Sequence, residues 1–174
     1  MIKKIFKFIG VLLLLLIIGI LIYMGKKQYD QNQKVDNFFS NVKKIEVISY
    51  LDRNEWDEKD NPDYDKATFV TDKVIIKQKY LKDKIILNQK QETELIDLFK
   101  SLSYGIQMQA ACYEPRHLIV FYDKNDKVYG YLELCFECGN YDCSKNMEGV
   151  IDFSVERGEE FEKLFKGFGI KYFG

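Results

Sequence analysis

HLIVFYDKNDKVYGYLELCF, residues 117–136, decides the fold. Two runs rich in β-branched and aromatic residues flank Lys124-Asn125-Asp126, a polar cluster of hairpin length, so the spacing predicts antiparallel strands over 117–123 and 127–136. If Asp123 faces Lys127, paired position numbers sum to 250. Leu118, Val120 and Tyr122 then share a face with Val128, Leu132 and Leu134, while His117, Ile119 and Phe121 share the other with Tyr129, Tyr131, Glu133 and Cys135. His117 falls opposite Glu133, Pro115 opposite Cys135 and Cys112 roughly opposite Cys138. Thiols, an imidazole and a carboxylate are thereby expected at one end of the hairpin.

Working outward, residues 44–51 alternate with β-branched side chains and read as a strand, followed by an acidic loop over 52–66. Short strands are expected over 68–70 and 74–80, joined at Thr71-Asp72-Lys73, and Lys82-Asp83 is expected to turn the chain into a strand over 85–87. Asn88 with Gln91 three positions later is a capping-box start, and Leu95, Ile96, Leu98, Phe99 and Leu102 then recur at helical spacing, predicting a helix over 89–102. A last helix over 155–166 presents Phe161, Leu164, Phe165 and then Phe168, with Gly167 as its stop. Hairpin-length links in the order β-β-β-β-α-β-β-α imply an α+β fold, an antiparallel β-meander with two packed helices.

Ahead of this domain, residues 8–24 read FIGVLLLLLIIGILIYM, 17 positions without a charge and without a polar face. At ~1.5 Å per residue the stretch spans roughly 25 Å, the core of a bilayer, and predicts an N-terminal transmembrane helix. Bulky residues from Leu21 to Met24 stand where a signal peptidase would need small ones, so residues 1–25 read as an uncleaved anchor, 26–36 as a polar juxtamembrane stalk and 37–174 as the domain. Lys3, Lys4, Lys7 and the terminal amine outnumber Lys26 and Lys27, which puts the N-terminus in the cytoplasm and the domain outside. The chain holds 26 Lys plus Arg against 27 Asp plus Glu. With three lysines and no acids in the first 25 residues, the remainder carries 23 positive and 27 negative charges, lacking the basic surplus that nucleic-acid binding needs.

Asp57, Asp60, Asn61, Asp63 and Asp65 crowd oxygen ligands into the acidic loop, and Asn61, Asp63, Asp65 and Asp72 match the first, third, fifth and twelfth positions of a calcium loop. Lys66 occupies the sixth position, where the sharp turn needs Gly, so the segment reads as a solvated loop.

All four cysteines, Cys112, Cys135, Cys138 and Cys143, lie between positions 112 and 143 with the only histidine, His117, among them. Three chemistries fit. An even count outside the cytoplasm suggests two disulfides, with Cys112 to Cys138 the preferred bridge. Cys112, His117, Cys135 and Cys138 could instead ligate Zn²⁺, which takes thiolate and imidazole tetrahedrally, although a single C-x-x-C is half the usual pattern. Thiol–disulfide exchange at Cys135 and Cys138 is the third; Glu137 and Asp142 nearby disfavour the thiolate it needs, and no helix start follows the motif. Haem attachment requires a histidine where Gly139 stands. Arg116 and His117 beside Glu114 and Glu133 form either a binding surface or an ion-paired edge, and His117 could serve Cys112 as a base if Glu133 oriented it.

The segment 111–123, ACYEPRHLIVFYD, followed by ELCFEC at 133–138, resembles a group of small uncharacterised bacterial proteins, exported or membrane-anchored, that carry C-x-x-P-R-H and C-F-x-C. The resemblance implies no activity. No Ser-His-Asp order, phosphate-cradling loop or nucleotide fingerprint is present. The leading expectation is a non-enzymatic, membrane-anchored extracytoplasmic binding or structural domain without cofactor, whose protein or small-molecule partner the residues do not name.

Overall fold

The computed structural model describes residues 2–60, 67, 69–103, 113–151 and 153–174. Cys112, much of the acidic loop (61–66) and residue 68 lie outside them. The fold is α+β: a long apolar N-terminal helix, α1 (Ile2–Phe39), then β1 (Lys44–Tyr50), β2 (Leu81–Ile86), α2 (Gln89–Lys100), β3 (His117–Tyr122), β4 (Val128–Cys135), β5 (Asn140–Cys143) and α3 (Val155–Phe168). The five strands form one antiparallel sheet in the order β2-β1-β3-β4-β5.

Both faces of this sheet are covered, which is why every residue of the central β3 is buried. On one face α2, α3 and the end of α1 enclose Ile45, Val47, Ile119, Phe121, Leu132 and Leu134. On the other, the excursion over residues 51–80 lays Trp56, Ala67, Phe69 and Tyr80 against Ile48, Tyr50, Leu118 and Val120. That excursion replaces the two strands expected over 68–70 and 74–80. Among the described residues only an isolated bridge, Val70 to Val74, remains of them. The aromatic side chains act as anchors against the sheet: Trp56 stacks on Tyr80 with ring centroids 4.5 Å apart, and its indole N–H donates to the Leu51 carbonyl at 2.9 Å.

The helices carry the expected caps. Asn88 and Gln91 form a reciprocal capping box, each side chain accepting from the other's backbone N–H at 3.1 and 3.0 Å. Buried Arg157 on α3 donates to the Leu98 and Ser101 carbonyls at 2.8 and 2.6 Å, satisfying the orphan end of α2. α3 runs past Gly167, the expected stop, and ends at Gly169, whose φ of 103° suits a residue without Cβ. Lys82-Asp83 lies inside β2 and not at a turn. There the Asp83 carboxylate accepts from the Ser49 hydroxyl at 2.8 Å and from the backbone N–H groups of Lys171 and Tyr172 at 3.0 and 2.9 Å, tying the C-terminal tail to the sheet. Burial works to raise its pKa, but these three donors outweigh it and the net shift is downward.

α1 is long and apolar enough to cross a membrane, with a mean hydropathy of 2.9 in its most apolar window and none of that window buried. Residues 26–36, read as a juxtamembrane stalk, continue the same helix, and Gln31, Val35 and Phe38 on its last turns are buried in the domain. The Gln31 amide donates to the Phe99 and Val150 carbonyls, both at 2.8 Å, and Gln28 to that of Lys100 at 2.8 Å. The apolar segment and the domain are therefore joined by a helix with no hinge.

Candidate functional site

The decisive local feature is a bulge in the hairpin. Tyr122 pairs with Val128, the expected register, but Phe121 then pairs with Gly130, leaving Tyr129 without a partner. Both Tyr129 and Gly130 lie on the helix-covered face, where the Tyr129 ring packs on Phe38 with centroids 5.2 Å apart. Gly130 admits Phe38: a Cβ there would meet the Phe38 ring at 3.0 Å and the Ser144 hydroxyl at 2.9 Å. Beyond the bulge every partner is one residue later than expected, so His117 lies opposite Leu134 and Leu118 opposite Glu133. The expected pairing of His117 with Glu133 is thus corrected, and the two side chains point to opposite faces of the sheet.

Glu133 turns toward the loop-covered face and is fully buried. Tyr50 Oη donates to Oε1, Tyr113 Oη donates to Oε2 at 2.7 Å, and the buried Arg53 guanidinium stands 3.2 Å from Oε2. Arg53 is delivered by a short 3-10 turn after β1 (Arg53–Glu55), where Asp52 accepts from the Asn54 N–H at 2.8 Å. Its guanidinium also lies over the rings of Tyr113 and Phe69, 5.6 and 5.9 Å from their centroids. Burial raises the pKa of Glu133, and Arg53 with the two phenols opposes that rise. Tyr50 and Tyr113 are raised too, first by burial and next by the Glu133 charge, so both stay protonated donors. Tyr50, Arg53 and Tyr113 were not singled out as site residues. The signals for them were one acid inside the apolar run YLELCF and one arginine directly after a strand.

Cys135 and Cys138 form a disulfide across the turn between β4 and β5. This corrects the preferred Cys112 to Cys138 bridge, since Cys138 is already paired; Cys112 itself lies outside the described residues. Asn140-Tyr141-Asp142 supplies most of β5, and the turn precedes it with Gly139 at φ 60°. Both bridged cysteines are buried, and the Cys138 sulfur accepts from the Glu114 N–H at 3.4 Å. Cys143 is a free thiol whose pKa is pushed up to about 11, by burial and then by the Asp142 charge.

His117 sits on the helix-covered face, 4.6 Å from the Phe136 ring centroid and 4.9 Å from that of Phe173. Its Nε2 lies 2.9 Å from the Tyr172 carbonyl, which assigns the proton to that nitrogen. Burial pushes the imidazole down to about 4; the Tyr172 carbonyl opposes that and Arg116 adds to it. His117 is therefore a neutral residue locking the tail, turned away from Glu133, which is not placed to orient it as a base; Cys112, the thiol it was expected to serve, lies outside the described residues. Among the described residues no group of three His, Cys, Asp or Glu side chains is arranged to hold a metal ion.

At the surface above the Glu133 cluster, Arg116 bridges Asp52 and Glu137, both at 3.0 Å, and reaches Glu114 at 3.6 Å. A cavity of about 270 Å³ on the same face is lined by Trp56, Lys59, Asp60, Phe69, Ile75, Lys77 and Tyr80. Its polar groups are mutually engaged, Asp60 pairing with Lys77 at 2.6 Å and accepting from Tyr80 Oη at 2.9 Å. No protein-family model, curated protein or solved structure matches the chain.

Proposed function

We propose that this chain is a single-pass membrane protein of a bacterial envelope that holds a non-enzymatic binding or structural domain outside the cytoplasm, with its N-terminus inside. The observation that carries the reading is the combination on one chain of an exposed apolar helix and a disulfide, which persists in oxidising compartments. The lysine excess ahead of the apolar stretch supports the orientation. The groups gathered around Glu133 are enclosed, with two phenols and a buried guanidinium directed at one carboxylate, which suits a cluster that pins the 51–80 excursion to the sheet better than one that meets substrate.

Protease added to intact spheroplasts is expected to digest the domain, and protection until lysis would refute the orientation. A Zn²⁺ site from Cys112, His117, Cys135 and Cys138 would require opening the bridge and turning His117 through the sheet, so it is the weaker reading. Thiol exchange at Cys135 and Cys138 would require access to buried sulfurs. A measured reduction potential below about −300 mV marks the bridge as structural and a higher one favours exchange.

A further inference from the structure

We propose, resting on the membrane reading above, that the junction of α1 with β1 and the β3–β4 hairpin loop together form a docking surface for a linear phosphate polymer of the envelope. A cavity of about 460 Å³ lies between the two segments, lined by residues 40–43 on one side and by Asp123, Lys124 and Tyr129 on the other. Lys44 ties the segments together through Asp126 at 2.7 Å. Lys43, Lys124 and Lys127 are exposed and make no ion pair among the described residues. The end of α1 does not consume Lys43, because the Asp36, Phe38 and Phe39 carbonyls accept from the Ser40, Asn41 and Val42 N–H groups at 2.9, 3.2 and 3.0 Å, and Ser40 Oγ donates to the Asn37 carbonyl at 2.8 Å. The Asp123 carboxylate is turned into its own loop, accepting from the Asn125 and Lys127 N–H groups at 2.8 and 3.0 Å.

Lys43, Lys44, Lys124 and Lys127 thus stand against Asp123 and Asp126, an excess of two positive charges. Neighbouring charges leave that excess unchanged. Asp72, whose carbonyl accepts from the Val128 N–H at 3.0 Å, is balanced by Lys73, and Glu46 pairs with Lys84 at 3.1 Å. Lys145 and Glu148 flank Asn146, which donates to the Tyr129 carbonyl at 2.6 Å, and cancel as well. Residues 26–174 as a whole hold 23 positive and 27 negative charges, so the rest of the domain repels a polyanion and confines it to this surface.

Place and composition select the partner. The unbroken α1 puts residue 40 roughly 24 Å beyond Met24 at the helical rise. That exceeds two Debye lengths of about 8–10 Å each, so the surface is screened from the phosphates of its own bilayer. No residue of 40–44 or 123–127 is an exposed large hydrophobic, so the apolar centre of a stable protein interface is missing. Exposed ammonium groups without an apolar centre suit a dense row of phosphates, which they bind by releasing its counterions.

The full chain is inserted in phosphatidylcholine nanodiscs, and its binding of fluorescein-labelled sodium polyphosphate is followed by anisotropy between about 0.05 and 0.2 M salt. A single-stranded polyanion gives a salt slope of about −0.7 per lysine, so three unpaired lysines should weaken binding about twentyfold over that range and contribute about a hundredfold at ~0.1 M. Lys43→Gln/Lys124→Gln/Lys127→Gln should lose that hundredfold. Asp126→Asn releases Lys44 and suits the φ of 57° at that position, so it should tighten binding about fivefold, a gain that separates lost charge from lost fold. Lys82→Gln/Lys163→Gln/Lys171→Gln removes three exposed lysines from β2, α3 and the tail and should change binding less than about twofold. Absence of binding by the parent, or an equal loss in this second triple variant, overturns the proposal. Equal displacement of the probe by polyglutamate or by phosphatidylglycerol vesicles at matched charge overturns the choice of partner, in favour of an acidic peptide or a facing membrane. Release of the chain from vesicles by alkaline carbonate overturns the membrane reading, whereas stable insertion without polyphosphate binding overturns this proposal alone.

Discussion

Acid should loosen this domain through one side chain, His117. In an unfolded chain its imidazole titrates near 6.5, whereas in the folded domain burial among Phe136, Phe165 and Phe173 holds it at about 4. A histidine whose folded pKa is depressed favours the native state only while both states are neutral. That stability is complete above pH 6.5, falls as the unfolded chain takes up its proton, and is gone below pH 4. At pH 4.5 an unfolded imidazole is almost fully protonated and the folded one roughly a quarter, so the domain should lose ~2 kcal/mol relative to pH 7, approaching ~3 kcal/mol at lower pH. Acid also protonates carboxylates elsewhere in the chain, so the comparison must be with His117→Gln. That variant keeps an N–H for the Tyr172 carbonyl but does not titrate.

Urea unfolding of the full chain in detergent micelles, followed by the emission of Trp56, supplies the assay. Trp56 is the only tryptophan and lies across the sheet from His117, so a change at the histidine reaches the probe only if the sheet unfolds as one unit. The parent protein should lose ~2 kcal/mol more than His117→Gln between pH 7 and 4.5. Parallel stability curves for the two proteins would refute the assignment of a buried, neutral imidazole.

Two further outcomes follow from the opposite face and its margin. Glu133→Gln removes the carboxylate charge 3.2 Å from buried Arg53 and should cost ~3 kcal/mol, while adding Arg53→Met should restore most of that loss; a double variant no more stable than Glu133→Gln would show that the pair is not what the single change breaks. The Cys135 to Cys138 bridge closes a loop of only four residues, for which chain entropy gives ~2 kcal/mol. Reductant should therefore lower the unfolding free energy that urea curves give for the parent by that amount and leave Cys135→Ala/Cys138→Ala unmoved, and an equal loss in both would exclude the bridge as the cause.

Much of the architecture was legible because it depends on local signals. The capping box at Asn88 and Gln91, the alternation in β1 and the 17-residue uncharged stretch each state their structure within a few positions. The cover over residues 51–80 was not, because it is built from scattered aromatics whose purpose, shielding a second sheet face, is visible only once the sheet exists. The candidate site depended on register, and register is where local reading failed. The turn at 124–126 fixes only the first pair, Tyr122 with Val128; one step later the bulge at Tyr129 shifts every partner.

That shift decides the chemistry. Without it Glu133 would face the helices among Leu95, Phe161 and Phe165, a carboxylate in an aromatic core, and Leu134 would face Arg53. With it the carboxylate meets an arginine and two phenols while His117 is left among rings that favour its neutral form. Gly130 was the available clue, since a glycine inside a strand marks a bulge or a close approach, and here it marks both. The helix that enters the domain from the apolar segment carries Phe38 in its last turn, and Phe38 requires that glycine. Helix end, bulge and buried acid are consequently parts of one packing solution, in which the residue that admits the apolar helix also sets which face of the sheet Glu133 occupies.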